Sequence, residues 1–244
     1  MQGIAGRTIL ITGASRGLGA ALAVAFGRAG ARVAICARDG QALDAVAEAV
    51  VETGAVCYTR ALDVRDEGKV EAWVRGAEQA LGTPAVLVNN ASALGPRVAI
   101  AEHDVAAWRE TLDVNLTGAF LTSRAVLPFM LHRGDGVILN VSSGAAAPPR
   151  VEWGAYAVSK HALEGLSLNL AAELAGTGVR VNIVDPGAMR TEMRAAAYPT
   201  EDPAGVKLAA EVTGVFLWLA GDEAREVTGQ RFRADEWAER RSSP

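Results

Sequence analysis

The chain has 244 residues, with 24 Lys and Arg against 28 Asp and Glu and a formal net charge of -4. This length predicts one domain spanning residues 1–244, and the mild acidity argues against a nucleic-acid partner, which would require a basic surface. The longest apolar runs are about seven residues, whereas a membrane-spanning helix needs roughly 18 or more, so we expect no membrane partner.

Short runs rich in Val and Ile alternate along the chain with longer segments of helical period. The predicted strands are 8–12, 32–37, 56–62, 85–89, 137–141, 179–184 and 231–232. The predicted helices are 17–29, 41–53, 67–81, 104–113, 117–132, 155–175 and 206–220. This alternation is typical of βαβ units, and strands that are apolar on both faces are covered on both sides. We therefore predict a single doubly wound, Rossmann-like α/β domain with a parallel sheet of about seven strands and helices on both faces.

Two segments lack this alternation. Residues 189–205 contain Pro199 and Pro203 and follow a strand end, where a doubly wound fold places loops over its ligand. We predict that this segment is a mobile substrate loop. Residues 235–244 are polar, and we predict a frayed tail.

The cysteines and histidines form no pattern typical of a metal site or a disulfide framework. Cys36 and Cys57 lie in separate strand-like apolar runs, and the three histidines share no metal-ligand spacing. Residues 1–7 lack the cationic and apolar segments of a signal peptide. We therefore expect no bound metal and a cytoplasmic, reducing environment.

A glycine-rich turn joins the first strand to the first helix. Three glycines there permit a sharp turn, a close approach of backbone N–H groups to a pyrophosphate, and close packing of the helix on the sheet. The spacing G-x-x-x-G-x-G differs from the G-x-G-x-x-G fingerprint, and glycine-rich turns also form for backbone reasons alone. Its position at a helix N-terminus favours a dinucleotide site. The predicted site comprises Gly13, Ser15, Arg16, Gly17, Leu18 and Gly19.

Tyr156 and Lys160 are four positions apart, so both side chains lie on one face of the predicted helix. A free tyrosine has a pKa of ~10, and exchanging a proton with an alcohol near neutral pH requires a fall of ~3 units, or ~4 kcal/mol. A cation ~4 Å away at an effective dielectric of ~20 supplies about that much. We predict that Lys160 makes Tyr156 a general acid and base, although a surface pair on a helix is the alternative.

Ser143 and Asn115 are weaker candidates. Ser143 follows the predicted strand 137–141, at the sheet edge where the glycine turn also opens, and its hydroxyl could bind a substrate oxygen. A loop serine and a helix-capping asparagine are both common, so neither residue is decisive alone. A serine–histidine hydrolase fits poorly because Gly-x-Ser-x-Gly is absent.

In this order and spacing, the motifs resemble the short-chain dehydrogenase/reductase family over nearly the whole chain. The match runs from the glycine turn through Asn115, Ser143, Tyr156 and Lys160. It also includes Asp63-Val64, Asn89-Asn90-Ala91, Pro186-Gly187 and Thr191. The segment 231–237 departs from the family's usual glycine-rich ending.

The resemblance implies roles for these residues. Tyr156 would donate and accept the proton, Lys160 would lower its pKa and bind the nicotinamide ribose, and Ser143 would orient the substrate oxygen. Asn115 would hold a water in a relay through Lys160. The further cofactor contacts implied are Asp63, Val64, Asn89, Ala91, Pro186, Gly187 and Thr191. The family is usually a homodimer or homotetramer, often through the helices predicted at 117–132 and 155–175.

The residues at the end of the second strand favour NADP as the cofactor. In a dinucleotide fold, an acidic residue at the end of the second strand binds the ribose and marks NAD. By alignment with the family that position is Ala37, which has no carboxylate, while Arg38 and Arg16 could fork around a 2′-phosphate. Asp39 could serve the ribose instead, but it lies two positions beyond the expected acid.

We therefore expect an NADP(H)-dependent oxidoreductase that interconverts a small-molecule ketone and a secondary alcohol. One alternative is a 3-oxoacyl-[acyl-carrier protein] reductase, for which Arg124 and Arg133 would contribute a basic landing patch. Another is a non-catalytic NADP-binding regulatory or interaction subunit, which would not need a tuned phenol. The candidate residues for a mostly apolar substrate pocket, for which core or loop packing is an equal alternative, are Leu94, Ala145, Pro149, Val151, Trp153, Met189, Met193 and Tyr198.

Overall fold

A computed structural model describes residues 3–242, which form one seven-stranded parallel sheet with the strand order β3-β2-β1-β4-β5-β6-β7. The strands are β1 (Thr8–Thr12), β2 (Arg32–Ala37), β3 (Cys57–Ala61), β4 (Pro84–Asn89), β5 (Gly136–Val141), β6 (Val179–Asp185) and β7 (Arg231–Arg233). The order reverses between β1 and β4, the switch point where doubly wound sheets open a crevice at the carboxyl ends of their strands.

The helices cover both faces of this sheet, as the alternation predicts. They are α1 (Gly17–Arg28), α2 (Gly40–Val51), α3 (Glu67–Leu81), α4 (Val105–Leu112), α5 (Gly118–Arg133), α6 (Gly154–Glu173), α7 (Glu192–Ala197), α8 (Gly214–Ala220) and α9 (Ala234–Ser242). Phe26 of α1 and Phe216 of α8 are fully buried on one face, and Trp73 of α3 and Met130 of α5 on the other. The predicted doubly wound fold is therefore confirmed.

The longest apolar helical stretch is Val105–Arg133, in which one π-helical turn, Asp113–Thr117, joins α4 to α5. By length and composition this stretch could cross a membrane. It was not identified from the sequence, because only uninterrupted apolar runs were considered there. In the structure, half of its most apolar window is buried inside the fold, which is also the pattern of a core helix.

Two predicted elements differ from the structure. The helix expected at 206–220 starts later and is divided into a 3-10 helix, Ala209–Val212, and α8. Residues 206–208 do not join it, because Arg190 N–H donates to the Lys207 carbonyl at 2.8 Å and Arg190 bridges to Leu208. The tail expected to be frayed instead forms α9, whose Trp237 ring lies 6.0 Å from that of Trp218. Residues 1–2 of the N-terminal segment and 243–244 of the predicted tail lie outside the described residues.

Candidate active site

A cavity of about 1050 Å³ opens at the carboxyl edge of the sheet. Of the predicted site residues, those that line it are Gly13, Ser15, Arg16, Gly17, Leu18, Arg38, Asp63, Val64, Ala91, Ser143, Tyr156, Lys160, Pro186, Gly187 and Thr191. These residues come from six strand ends and the helices that follow, so the sheet gathers segments that are far apart in sequence. Gly19, Asn89 and Asn115 are not among the lining residues.

The glycine turn is shaped by close backbone contacts. Gly13 has φ +65°, and a Cβ built on it would lie 2.7 Å from the Cα of Ala91, so a side chain there is excluded. Gly19 has no place for a side chain either, because its Cβ would lie 2.4 Å from the Gly13 carbonyl oxygen. Gly19 therefore packs α1 onto the turn, and Gly13 leaves the backbone open toward the cavity.

Asn90 fixes this turn, a role that the sequence prediction missed. Its Nδ2 donates to the carbonyls of Thr12 (2.9 Å) and Gly13 (3.0 Å). In return, the Thr12 hydroxyl accepts from the backbone N–H groups of Asn90 (3.1 Å) and Ala91 (3.0 Å). The ends of β1 and β4 are thus locked together beneath the cavity. An amide directly after a buried strand was the available signal.

Asn89 points the other way, so its predicted contact with the cofactor is corrected. Its side chain is buried and donates to Asn140 Oδ1 (2.8 Å) and Ser123 Oγ (3.0 Å), and it accepts from Thr122 Oγ1 (2.6 Å). Side chains alternate along a strand, so neighbouring asparagines face opposite sides. Asn89 ties β4 to β5 and α5, and Asn90 serves the turn.

Tyr156, Ser143 and Lys160 meet at one wall of the cavity. Ser143 follows β5, and Tyr156 and Lys160 lie one turn apart on the buried face of α6. The Ser143 and Ser92 side chains are near enough to the Tyr156 hydroxyl to affect the pKa of the phenol. Lys160 is almost fully buried, and its Nζ donates to the Val141 carbonyl at 2.8 Å. A carbonyl oxygen at this wall would meet two hydroxyl donors.

The predicted lowering of the Tyr156 pKa is absent in this structure. Burial raises the pKa of the phenol, hydrogen bonding with Ser143 and Ser92 opposes that rise, and the negative charge of Asp185 adds to it. The Lys160 ammonium lies 5.7 Å from the Tyr156 ring centroid and is bonded to a carbonyl instead of facing the phenol oxygen. Burial also lowers the pKa of Lys160 itself to about 8, although the charges of Asp185 and Glu164 oppose this shift.

An ion network beside this wall, in which only Asp185 is fully buried, was not predicted. Arg231 of β7 donates to Asp185 Oδ2 (3.0 Å), to Glu164 Oε1 (2.9 Å) and to the Ser143 carbonyl (3.3 Å). Ser142 Oγ also donates to Glu164 Oε1 at 2.5 Å. Asp185 is almost fully buried, and a carboxylate removed from water needs a cationic or hydrogen-bonding partner, which Arg231 supplies here. The departure at the last strand thus supplies the partner of an acid in the cavity wall.

Asn115 lies behind the site, in the π-helical turn. Its Oδ1 accepts from Ala93 N (2.7 Å) and Ser92 Oγ (3.1 Å), while its Nδ2 donates to Ala93 O and Ser159 Oγ at 2.9 Å each. The side-chain amide therefore fastens the loop after β4 to α6, and it uses both ends in doing so.

The far end of the cavity lies beyond β2. Ala37 and Arg38 line it, and Asp39 caps α2 by accepting from Ala42 N at 3.1 Å. Arg38 is exposed, and its nearest acidic partner is Glu110, at 3.9 Å. The guanidinium of Arg38 is therefore available at the mouth of the cavity, whereas one oxygen of Asp39 already serves the helix.

Arg16 and Asp63 at this end are both paired. Arg16 makes an exposed salt bridge with Glu192 at 2.9 Å, from the glycine turn to α7. Asp63 accepts from Arg65 at 2.7 Å, and this side-chain hydrogen bond lowers the pKa of the carboxyl. An adenosine at this end would meet a mixed, largely arginine-rich surface.

The opposite end of the cavity lies under the segment 189–205. This segment contains the short helix α7, capped by Thr191, whose hydroxyl accepts from Arg194 N at 3.2 Å. Of the predicted pocket residues, those that line the cavity are Leu94, Trp153, Met189, Met193 and Tyr198. Ala145 is buried behind the wall and Val151 is exposed, so neither lines it.

Comparisons with known proteins agree with this geometry. The short chain dehydrogenase family model matches residues 7–202. The chain is 36% identical over 231 residues to YciK, an uncharacterized oxidoreductase of Escherichia coli K12, covering 93% of this chain and 91% of YciK. It is 36% identical over 244 residues to the 2-(R)-hydroxypropyl-CoM dehydrogenase of Xanthobacter autotrophicus, covering 91% and 94% of the two chains.

A solved structure is similar over the same range. A short chain dehydrogenase from Escherichia coli CFT073 complexed with NADPH superposes with a TM-score of 0.89 at 35% identity, covering 93% of this chain and 96% of that one. The glycine turn, the Ser143–Tyr156–Lys160 wall and these matches lead to one conclusion: the chain belongs to the short-chain dehydrogenase/reductase family.

Proposed function

We propose that this protein is an NADP(H)-dependent oxidoreductase that interconverts a ketone and a secondary alcohol. The observation that carries the proposal is the wall at which the Tyr156 hydroxyl meets Ser143, beside the buried ammonium of Lys160. The same cavity continues to the glycine turn, so one volume reaches both the proton donor and a phosphate-binding backbone. The name of the Xanthobacter relative, 2-(R)-hydroxypropyl-CoM dehydrogenase, also describes a substrate with a hydroxyl group.

The cavity fits a dinucleotide. Gly13 and Gly19 leave no room for a side chain, and this keeps the turn open to a pyrophosphate. Ser15, Arg16, Gly17 and Leu18 would hold the phosphates, Asp63, Val64 and Ala91 the adenosine half, and Pro186, Gly187 and Thr191 the nicotinamide half. When bound, the nicotinamide donates or accepts the hydride.

The chain's own residues would supply position and the proton. Tyr156 would give its phenolic proton to the developing alkoxide during reduction, or receive the proton of the alcohol during oxidation. Ser143 would donate to the same oxygen and fix the carbonyl against the phenol. Lys160 would bind the ribose hydroxyls, and its charge would favour the phenolate if its ammonium turned from the Val141 carbonyl toward the phenol.

NADP in preference to NAD is supported by the end of β2. Ala37 offers no carboxylate, Asp39 caps α2, and Arg38 is exposed with only a distant acidic partner. A guanidinium fork suits a 2′-phosphate. The relative from Escherichia coli CFT073 was also solved with NADPH.

The carrier-protein alternative has less support. Arg124 is paired with Glu67 and Arg133 with Asp135, so neither offers an unpaired cation. Arg124 and Arg133 are nine residues, or two and a half helical turns, apart, so their side chains project from opposite sides of α5. A carrier protein's acidic surface would not meet both at once.

Association into a homodimer or homotetramer fits the outer faces of α5 and α6. Phe120, Leu131, Val158 and Leu168 are exposed there, although most large apolar side chains of the described residues are buried. Such surfaces are typical of protein interfaces. A monomeric mass in sedimentation experiments would contradict this part of the proposal.

The test is a panel of ketones and secondary alcohols, assayed with NADPH and NADP, for wild type and Tyr156→Phe. Turnover by wild type that is lost in Tyr156→Phe supports the proposal. Tight cofactor binding without turnover of any compound would instead favour the non-catalytic subunit.

A further inference from the structure

Three arginines surround two aromatic rings at the substrate end of the cavity. The guanidinium carbon of Arg97 lies 5.0 Å from the ring centroid of Trp153 and 5.4 Å from that of Tyr198. Arg150 lies 5.9 Å from the Trp153 ring and donates to the Tyr198 hydroxyl at 3.3 Å. Arg194 lies 3.8 Å from the Tyr198 ring. We call these five residues the arginine–aromatic cluster.

This cluster adjoins the reacting centre. The Trp153 ring is 5.6 Å from the Tyr156 ring, so one indole separates the phenol from the Arg150 guanidinium. On its other side Arg150 reaches the loop that carries Ser143: a Cβ built on Gly144 would lie 3.6 Å from Arg150 Nη2. Trp153, Arg194 and Tyr198 of the cluster line the cavity, and Arg150 lies against Trp153 and Tyr198. A substrate with its carbonyl at Tyr156 that extended past Trp153 would therefore reach Arg150.

The positive charge of the cluster exceeds its negative charge. Among the described residues, Arg194 alone in the cluster has a carboxylate partner, Glu201, with Nε to Oε2 at 2.7 Å. Arg97 donates to the Ala197 carbonyl, and its buried Nε has no acceptor among the described residues. Asp185, also 3.6 Å from the Cβ built on Gly144, is already held by Arg231.

Arg150 is the member free to bind a ligand. Its side chain is exposed and makes no salt bridge within residues 3–242, and its side-chain hydrogen bond in that range goes to the neutral hydroxyl of Tyr198. A guanidinium beside an aromatic rim keeps a planar set of donors for an oxyanion. A net positive mouth on a protein of charge -4 would also attract anions locally.

We propose that the substrate carries an oxyanion, a carboxylate or a phosphate, which Arg150 binds while the carbonyl lies at Tyr156. This inference rests on the proposed function for the position of the carbonyl. Arg97 adds positive charge from behind, and the rings of Trp153 and Tyr198 exclude water beside the guanidinium. An uncharged ketone of the same size would bind more weakly.

The test compares matched pairs of ketones with NADPH as reductant. Levulinate and methyl levulinate differ in a carboxylate charge, and hydroxyacetone phosphate and hydroxyacetone differ in a phosphate. Whichever anion is the better substrate identifies the oxyanion. We expect the anionic member of at least one pair to have a kcat/KM about tenfold higher or more, from a lower KM.

Variants assign this difference to one residue. Arg150→Met keeps the length and apolar stem of the side chain and is expected to raise the KM of the anion about tenfold, leaving kcat and the neutral ketone unchanged. Arg150→Lys keeps the charge without the fork and is expected to restore part of the loss. Arg60→Met removes the same charge at an exposed site on β3 and controls for the overall field of the protein.

Calorimetric titration of levulinate and of hydroxyacetone phosphate into the NADP complex separates this proposal from the function. If no ketone is reduced but Arg150→Met weakens anion binding, the proposed function fails and the anion site stands. If neutral ketones are reduced with the same KM as their anions, the function stands and the anion site is overturned. Anion binding that is equal in wild type and Arg150→Met also overturns it.

Discussion

Replacing Arg38 with alanine is expected to remove most of the preference for NADPH over NADH. A hydrogen bond to a charged group contributes about 1.5–3 kcal/mol. To bind the 2′-phosphate, Arg38 would lose only its salt bridge with Glu110, which is 3.9 Å long and has both side chains more than half exposed. Such exposed pairs contribute ~0–1 kcal/mol. The remainder, about 1–2 kcal/mol, corresponds to a preference of roughly tenfold, since 1.4 kcal/mol is tenfold.

The assay is titration of both cofactors into wild type and Arg38→Ala. NADH is the internal control, because it lacks the 2′-phosphate and its affinity is expected to stay constant. Ala37→Asp is expected to reverse the preference, since its carboxylate would bind the ribose and repel the phosphate. Equal or tighter binding of NADH by the wild type would refute this reasoning.

Three further outcomes are expected. Because burial lowers the pKa of Lys160 from 10.5 to about 8, the unfolded chain binds more protons between these values and stability rises with pH there. In urea titrations, the unfolding free energy of wild type relative to Lys160→Met should increase by about 1 kcal/mol from about pH 7 to about pH 9. A decrease over this range would contradict the burial of the ammonium. Gly19→Ala is expected to cost roughly 1–3 kcal/mol of unfolding free energy, because its Cβ would lie 2.4 Å from a carbonyl oxygen. The matched Gly165→Ala, in α6 with open space around its Cβ, should gain about 1 kcal/mol, and equal effects of the two would argue against the close packing. Hydrogen exchange in residues 189–205 should slow when NADPH is added, and full protection without ligand would exclude a mobile loop.

The fold was predictable because local pattern and tertiary structure agree over most of the chain. The helix predicted at 67–81 is α3 with the same bounds. Asp66 caps its start, Gly82 follows its end, and an apolar stripe marks its buried face. The start of the predicted helix at 206–220 was not predictable, because its extended form depends on contacts of Arg190 with Lys207 and Leu208. The ring of Trp237 likewise orders α9 through a contact outside its own helix.

The sequence predicted which residues form the site, but it did not predict how their charged side chains are paired. Spacing placed Ser143, Tyr156 and Lys160 on one wall. Spacing alone does not give the direction in which a buried ammonium points, so the bond from Lys160 to the Val141 carbonyl was missed. The pairing of Asp185 with Arg231 was also missed. It joins the end of β6 to the start of β7, two residues far apart in sequence whose side-chain directions the sequence does not give.

The turnover of Tyr156→Phe is the measurement that tests the central claim most directly. The phenylalanine ring preserves the contact with Trp153 and removes only the hydroxyl that meets Ser143 and Ser92. We expect kcat for the best substrate of the panel to fall by ~10²–10⁴-fold, with NADPH binding and unfolding free energy close to those of the wild type. A kcat near that of the wild type, with the fold and cofactor binding intact, would contradict the assignment of Tyr156 as the proton donor.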